Sequence, residues 1–183
     1  MKLSFLNLLR ESSKVNPEVN QDMRLKLDQE ILTRKPKFWE VVSHIQRRMV
    51  DQASNFNIEA ALNIELGAGV LPMKINYPKI TSTDVVPANH LDGILDATNL
   101  DLPDDSVQNI FLQNTFHHIP NPQDFFEESL RVLKSGGRII IVDPYFNRLS
   151  RLLYPRLFAT ESFELMGSWD DASEHAMVGR IKH

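Results

Sequence analysis

The fold is decided by residues 63–69, which read NIELGAG and predict a strand that runs directly into a glycine turn. Two glycines let a backbone turn tightly and approach a ligand closely, as a nucleoside-binding strand-to-helix turn requires. A dinucleotide fold also needs a third glycine in its G-x-G-x-x-G frame, and Pro72 occupies that position. The stretch therefore predicts a nucleoside-binding turn and disfavours a nucleotide-dependent oxidoreductase, which stays an alternative.

Strands alternate with helical patterns after this stretch. Further strands are predicted at 79–83, 93–95, 107–112 and 138–142, and a helix at 123–134 that ends at Ser135, Gly136 and Gly137. Such alternation is typical of an α/β protein with a Rossmann-like, doubly wound and mostly parallel sheet of about five strands. Ligands of such sheets bind beyond the carboxyl ends of the strands, so function is expected there.

An N-terminal helical segment, residues 1–56, precedes the predicted sheet domain at 57–160, and a polar tail follows at 161–183. Within the N-terminal segment, apolar residues recur at helical spacing after Pro36. They are Phe38, Val41, Val42, Ile45 and Met49. This apolar face either packs on the sheet domain or forms a lid over a ligand. Residues 1–10 predict a short amphipathic helix instead of a signal peptide.

The composition excludes several classes of function. The 183 residues carry a net charge of −4, so no basic field favours nucleic acid as a partner. There is no cysteine, which excludes disulfides, thiolate catalysis and cysteine-ligated zinc, and no apolar stretch has the length of a membrane span. We expect a cytoplasmic protein that has at most peripheral contact with a membrane. The sequence does not predict the oligomeric state.

Acidic residues follow three of the predicted strands. Glu65 lies two residues before Gly67 and suits a cationic ligand such as S-adenosylmethionine, whereas a pyrophosphate prefers bare amides. Asp84 comes nineteen residues later, close to the spacing at which Rossmann-like folds bind ribose hydroxyls. Asp96, before Ala97, is suited to accept a hydrogen bond from an adenine amino group. Each acid has the alternative of a solvated turn or a helix cap.

These motifs together resemble class I S-adenosylmethionine-dependent methyltransferases of the type 11 group. The likeness runs in order through ELGAG at 65–69, Asp84, DATNLDLPDDS at 96–106, NTFHHIP at 114–120, FF at 125–126 and LKSGGR at 133–138. The resemblance implies S-adenosyl-L-methionine as cofactor and assigns its parts to particular residues. The methionine end goes to Glu65, Gly67 and Gly69, the ribose to Asp84, the adenine to Asp96 and Ala97, and the sulfonium to Asn114 and Thr115.

The acceptor is expected to be a small molecule or a saccharide. The short loop between Asp84 and Asp96, with DPY at 143–145, is similar to bacterial methyltransferases found with surface-polysaccharide synthesis. Two departures from the family are visible: Leu71 replaces a third alternating glycine, and only about 40 residues follow Val142, with no convincing strand pair. A truncated homologue that binds S-adenosylmethionine or a partner without catalysis is therefore the alternative.

His117 and His118 follow the fourth strand and are the candidate general bases, because histidine titrates near neutral pH. A base is useful only for a hydroxyl acceptor, and the alternative is that both histidines are structural. No metal site is expected, since adjacent histidines do not easily ligate one ion without nearby carboxylates.

Arginines interleave with apolar residues at 148–158. Arg148, Arg151 and Arg156 lie on a pattern that predicts either a helix covering the sheet or a basic amphipathic helix. The second reading would dock a phosphorylated or lipid-linked acceptor, or a membrane surface.

Overall fold

A five-stranded parallel sheet forms the centre of the computed structural model, which describes residues 36–143, 161–162 and 180–181. The strands in chain order are β1 (Leu62–Glu65), β2 (Ile80–Asp84), β3 (Gly93–Ile94), β4 (Val107–Gln113) and β5 (Leu133–Val142). Their spatial order is β3-β2-β1-β4-β5, and every neighbouring pair is parallel. The predicted Rossmann-like sheet is confirmed, and its order reverses between β1 and β4.

Two helices cover opposite faces of this sheet. Successive strand residues point to opposite faces, so Ile110 and Phe111 of β4 belong to different hydrophobic clusters. The cluster around Ile110 includes Phe125 of α2 (Pro122–Val132), and the cluster around Phe111 includes Met49 of α1 (Pro36–Val50). The core is therefore a sheet between two helical layers, which is the architecture that alternating strands and helices predict.

The helix α1 packs on the sheet through part of the predicted apolar face: Val42, Ile45 and Met49 contribute, whereas Phe38 and Val41 do not. Val42, Gln46 and Met49 are buried, whereas Phe38 and Val41 are 43% and 56% exposed. Gln46 tolerates burial because its Oε1 accepts a hydrogen bond from Asn76 Nδ2 at 2.7 Å. Burial against the sheet fits the packing interpretation of this helix. The lid remains a prediction, and so does the division into segments at residues 56 and 160.

The helix α2 ends earlier than predicted. Asn121 caps its start by accepting from the Gln123 main-chain N–H at 3.1 Å, and Pro122 occupies the first helical turn. At the other end, the N–H groups of Asp105 and Ser106 donate to the last helical carbonyls, and strand β5 begins at Leu133. The predicted glycine stop was therefore wrong, because pairing with β4 ends the helix before the glycines are reached.

The C-terminal tail contains a strand pair that the sequence pattern did not predict. Strand β6 (Glu161–Ser162) pairs antiparallel with β7 (Arg180–Ile181). Strands of two residues are too short to show the alternation from which strands are predicted.

The predicted helix at 1–10 and the arginine-rich stretch at 148–158 lie outside the described residues. Among the helices that are described, none has the length and apolarity needed to cross a membrane.

A buried polar network joins the sheet to the segment after α1. Asn63 of β1 and Asn109 of β4 are neighbours in register, and Asn109 Nδ2 donates to Asn63 Oδ1 at 2.6 Å. Asn109 also bonds both main-chain groups of Ser54, at 2.9 and 2.8 Å. These residues lie at the beginning of their strands, so the network fixes the end of the sheet opposite to the carboxyl ends.

Candidate functional site

A cavity of about 610 Å³ opens at the carboxyl ends of the strands. Most of the predicted site residues line it: Gly67, Gly69, Asp84, Asp96, Ala97, Asn114, Thr115 and His118. Leu66, Leu95 and Ile119 add apolar surface. A cavity of this size, with apolar walls and a few polar groups, is typical of a small-molecule site.

The glycine turn after β1 is locked against β4 through Thr115. Gly67 has a positive φ of 68°, a conformation that favours glycine, and a Cβ there would overlap the Thr115 side chain. Thr115 Oγ1 donates to the Gly67 carbonyl at 2.9 Å. The absent side chain of Gly67 thus allows two strand ends to approach each other at the cavity.

The second glycine of the turn is held by Asp84. Gly69 has a φ of 54°, and its N–H donates to Asp84 Oδ2 at 2.9 Å, while Asp84 Oδ1 accepts from the Val86 N–H at 3.1 Å. A carboxylate has about four lone-pair sites, so Asp84 retains acceptor capacity for a ligand hydroxyl. His90 Nε2 lies 2.7 Å from the Gly69 carbonyl. No sequence motif indicated His90, because this contact joins two loops.

Asp96 and Ala97 form the part of the wall that follows β3. Asp96 Oδ1 accepts from both the main-chain N–H and the hydroxyl of Thr98, at 2.8 and 2.7 Å. Such an Asx turn fixes the local backbone. The side chain of Asp96 is exposed, and Ala97 packs against the core cluster of Ile110.

Glu65 lies behind the turn and is not among the residues that line the cavity. The residue is 2% exposed, and its Oε2 accepts from the Met73 N–H at 2.8 Å and from Ser82 Oγ at 2.6 Å. Burial raises the pKa of Glu65 to about 7, against the opposing effect of these two hydrogen bonds. The carboxyl group therefore ties the 3-10 helix Met73–Ile75 to β2. Its predicted contact with the methionine end stays a prediction.

Asn114 and the two histidines follow β4. Asn114 adopts a φ of 54° and donates its N–H to the Val142 carbonyl at 2.8 Å, so the chain turns sharply at the end of the strand. His118 lines the cavity, and its ring lies 3.9 Å from that of His117. His117 is not a lining residue; its Nδ1 lies 3.0 Å from Asp143 Oδ1.

Comparison with known proteins identifies a family for most of this region. The family described as "Methyltransferase domain" matches residues 45–141, from within α1 into β5. This range covers more than half of the chain and contains every residue that lines the cavity. No curated protein matches the sequence.

Solved structures share the fold at low sequence identity. One is a protein of Methanococcus maripaludis described as an S-adenosyl-L-methionine-dependent methyltransferase, with a TM-score of 0.54 and 17% identity, over 77% of this chain and 74% of that one. Another is geranyl diphosphate C-methyltransferase from Streptomyces coelicolor in complex with S-adenosyl-L-homocysteine, with a TM-score of 0.49 and 13% identity. Its match covers 69% of this chain and 52% of that one.

Proposed function

The chain belongs to the methyltransferase domain family, whose cofactor is S-adenosyl-L-methionine, and we propose that it is an enzyme that methylates a small-molecule or saccharide acceptor. The observation that carries this proposal is the cavity at the carboxyl ends of the strands. A two-glycine turn, two carboxylates and apolar side chains line this cavity, whose volume is about 610 Å³. Membership of the family does not by itself show that this chain has a cavity for the cofactor.

The residues of the cavity fit this cofactor chemically. The ligand combines a cationic amino acid end, a ribose and an adenine, and the cavity offers carboxylates beside apolar surface. The second glycine of the turn supports the same assignment, because a Cβ at Gly69 would meet nothing within 4 Å and Gly69 lines the cavity. The turn thus exposes main chain where a ligand needs close approach.

We assign one part of the cofactor to each group of residues. Gly67 and Gly69 would hold the methionine end through main-chain groups, with Glu65 acting from behind the turn. The ribose goes to Asp84, whose carboxylate has acceptor capacity left after its two main-chain hydrogen bonds. The remaining assignments follow the order of the strands: adenine to Asp96 and Ala97, sulfonium to Asn114 and Thr115.

The bound cofactor supplies an activated methyl group, so the protein needs little covalent chemistry of its own. Its residues would orient the donor, exclude water and align the acceptor atom with the carbon–sulfur bond that breaks. His118 is placed to contact an acceptor because it lines the cavity, and the centroid of the His117 ring lies 3.9 Å from that of His118. We therefore propose that one of the two histidines accepts a proton when the acceptor is a hydroxyl.

The acceptor and the domain division are narrower proposals. The short loop between Asp84 and Asp96 supports an acceptor from surface-polysaccharide synthesis, by likeness to methyltransferases of that kind. We also propose that residues 57–160 form the cofactor-binding unit, with residues 1–56 covering it. Removal of residues 1–35 should then weaken acceptor binding more than cofactor binding.

An acceptor screen tests the proposed activity. The full chain is incubated with methyl-labelled S-adenosylmethionine and a panel of monosaccharides, phenols and amines, and labelled product and S-adenosylhomocysteine are both measured. We expect transfer to at least one acceptor, and its loss in Asp84→Asn. Cofactor binding without transfer to any member of the panel would favour the non-catalytic alternative.

A further inference from the structure

The loop between β2 and β3, residues 85–92, contains a histidine that contacts the glycine turn of the cavity. His90 Nε2 lies 2.7 Å from the carbonyl oxygen of Gly69, which is hydrogen-bond distance. A carbonyl oxygen can only accept, so this ring nitrogen carries a proton and donates. Gly69 lines the cavity and His90 does not, so His90 acts on a ligand in the cavity through Gly69.

The loop is anchored on both sides of His90. At its start, Asp84 Oδ1 accepts from the Val86 N–H at 3.1 Å. At its end, Asp92 bonds both main-chain groups of Ser82 in β2: its N–H donates to the carbonyl at 2.9 Å, and its Oδ2 accepts from the N–H at 2.9 Å. Because His90 lies two residues before this second anchor, its main chain is held close to the end of β2.

Gly69 is held on both sides of its Cα atom. Its N–H donates to Asp84 Oδ2 at 2.9 Å, and its carbonyl accepts from His90. These bonds orient two different peptide units, the one before Gly69 and the one after it. Glycine has no side chain to restrict its torsion angles, and a Cβ at this position would meet nothing within 4 Å. Removal of the imidazole therefore takes away the contact that orients the second peptide unit.

We propose that His90 is a positioning residue for the cofactor, which holds the Gly69 carbonyl in the orientation that accepts a hydrogen bond from the ammonium group of S-adenosylmethionine. This inference rests on the proposed function, in which Gly67 and Gly69 hold the methionine end, and deepens it by naming the group that orients the turn. A main-chain carbonyl has two lone pairs, so the bond to His90 leaves one for the ammonium. A turn that is already ordered binds more tightly, because no ordering cost is added when the ligand arrives.

Calorimetric titrations of the full chain with two ligands test this role. S-adenosylmethionine carries the ammonium group, whereas methylthioadenosine contains the adenosine and the sulfur but lacks the amino acid end. His90→Phe keeps a planar ring and removes the donor, and His90→Leu removes the donor with a smaller side chain. His90→Gln keeps a donating nitrogen at the end of the side chain. His44→Phe is the matched control, because His44 is an exposed histidine of α1.

We expect His90→Phe and His90→Leu to lower the affinity for S-adenosylmethionine at least about fivefold, as loss of one hydrogen bond would. Their affinity for methylthioadenosine should change by less than about twofold, because this ligand has no ammonium group to meet the carbonyl. His90→Gln should bind S-adenosylmethionine within about twofold of the unchanged chain. The control His44→Phe should bind both ligands as the unchanged chain does.

Three results would overturn the inference. One is an unchanged affinity for S-adenosylmethionine in His90→Phe and His90→Leu. Another is an equal loss of affinity for both ligands in these variants, since a purely structural role would weaken the whole cavity. The third is a His90→Gln variant that binds as weakly as His90→Phe. Urea unfolding verifies that each titrated chain is folded. A folded, unchanged chain that does not bind S-adenosylmethionine would instead count against the proposed function.

Discussion

Gly67 lines the cavity and is in close contact with Thr115, another lining residue. We predict that Gly67→Ala lowers the free energy of unfolding by about 2–5 kcal/mol, because alanine at positive φ costs about 1–2 kcal/mol and overlap with Thr115 adds an overpacking cost. Urea unfolding measures the loss. Affinity for S-adenosylmethionine should fall at least tenfold as Thr115 is displaced.

Gly69→Ala is the matched control for this substitution. Its φ is also positive, but a Cβ there would meet nothing within 4 Å. Only the backbone cost of about 1–2 kcal/mol is then expected. Equal losses in the two variants would show that contact with Thr115 is unimportant.

Glu65 makes the stability of the fold depend on pH. Because its pKa rises from 4.5 to about 7 on folding, the folded chain holds a proton between these values that the unfolded chain has released. The stabilisation is complete below pH 4.5 and is lost as the pH rises through 7. At about 1.4 kcal/mol per pKa unit, the free energy of unfolding falls by about 3 kcal/mol across this window.

Glu65→Gln should remove this dependence, since an amide keeps the acceptor oxygen for Met73 and does not titrate. Relative to the unchanged chain, the variant gains stability as the pH rises from 4.5 to 8. Urea unfolding at several pH values measures the difference, with the exposed Glu59→Gln as control. Parallel pH profiles for Glu65→Gln and the unchanged chain would refute the assignment to Glu65.

Sequence pattern was enough to find the residues of the cavity but not all of their partners. Gly67, Asp84 and Asp96 follow strands, and strand ends are visible in the sequence. Asp143 and His90 act through contacts between separate loops, which no local spacing encodes. Burial of Glu65 was missed for the same reason: its hydrogen-bond partners come from β2 and from the 3-10 helix.

At the scale of elements, a substitution in the asparagine network at the beginning of β1 and β4 should change the stability of the fold without changing cofactor binding. Asn109→Ala leaves Asn63 Oδ1 and the main-chain groups of Ser54 without this buried partner. We expect a loss of at least about 3 kcal/mol in the free energy of unfolding, because three groups lose a partner at about 1–3 kcal/mol each. Affinity for S-adenosylmethionine should stay unchanged below the melting temperature, because the network lies opposite to the cavity.

Differential scanning calorimetry with and without the cofactor checks both parts of this prediction. Ser106→Ala is the control, since its hydroxyl bonds a single exposed carbonyl at Pro103. A variant of Asn109 that is as stable as the unchanged chain would mean that the network contributes little. Weaker cofactor binding in a folded variant would mean that the two ends of the sheet are coupled.

Elements were predictable where one local signal dominates. The strands β1, β2 and β4 contain apolar or β-branched residues and are bounded by turns. The end of α2 was missed because a glycine pair is only a local signal, whereas hydrogen bonds from Asp105 and Ser106 come from another part of the chain. Where a tertiary contact and a local stop signal such as a glycine pair disagree, the tertiary contact therefore determines where the helix ends.

At the scale of the whole molecule, fold and cofactor follow from the order of motifs along the chain, whereas the acceptor does not. The proposed cofactor site uses strand ends that every member of such a sheet presents, so their spacing is regular. Acceptor recognition depends on the residues that cover the sheet edge, and a common fold supports many chemistries.

The most direct measurement of the central claim is calorimetric titration of the 183-residue chain with S-adenosylmethionine, alongside Asp84→Asn and Asp104→Asn. Asp84 bonds the turn at Gly69 and lines the cavity, whereas Asp104 is 72% exposed and pairs with Arg131. We predict binding by the unchanged chain and by Asp104→Asn, and an affinity at least tenfold lower for Asp84→Asn. A folded chain that does not bind, or an Asp84→Asn variant that binds equally well, would contradict it.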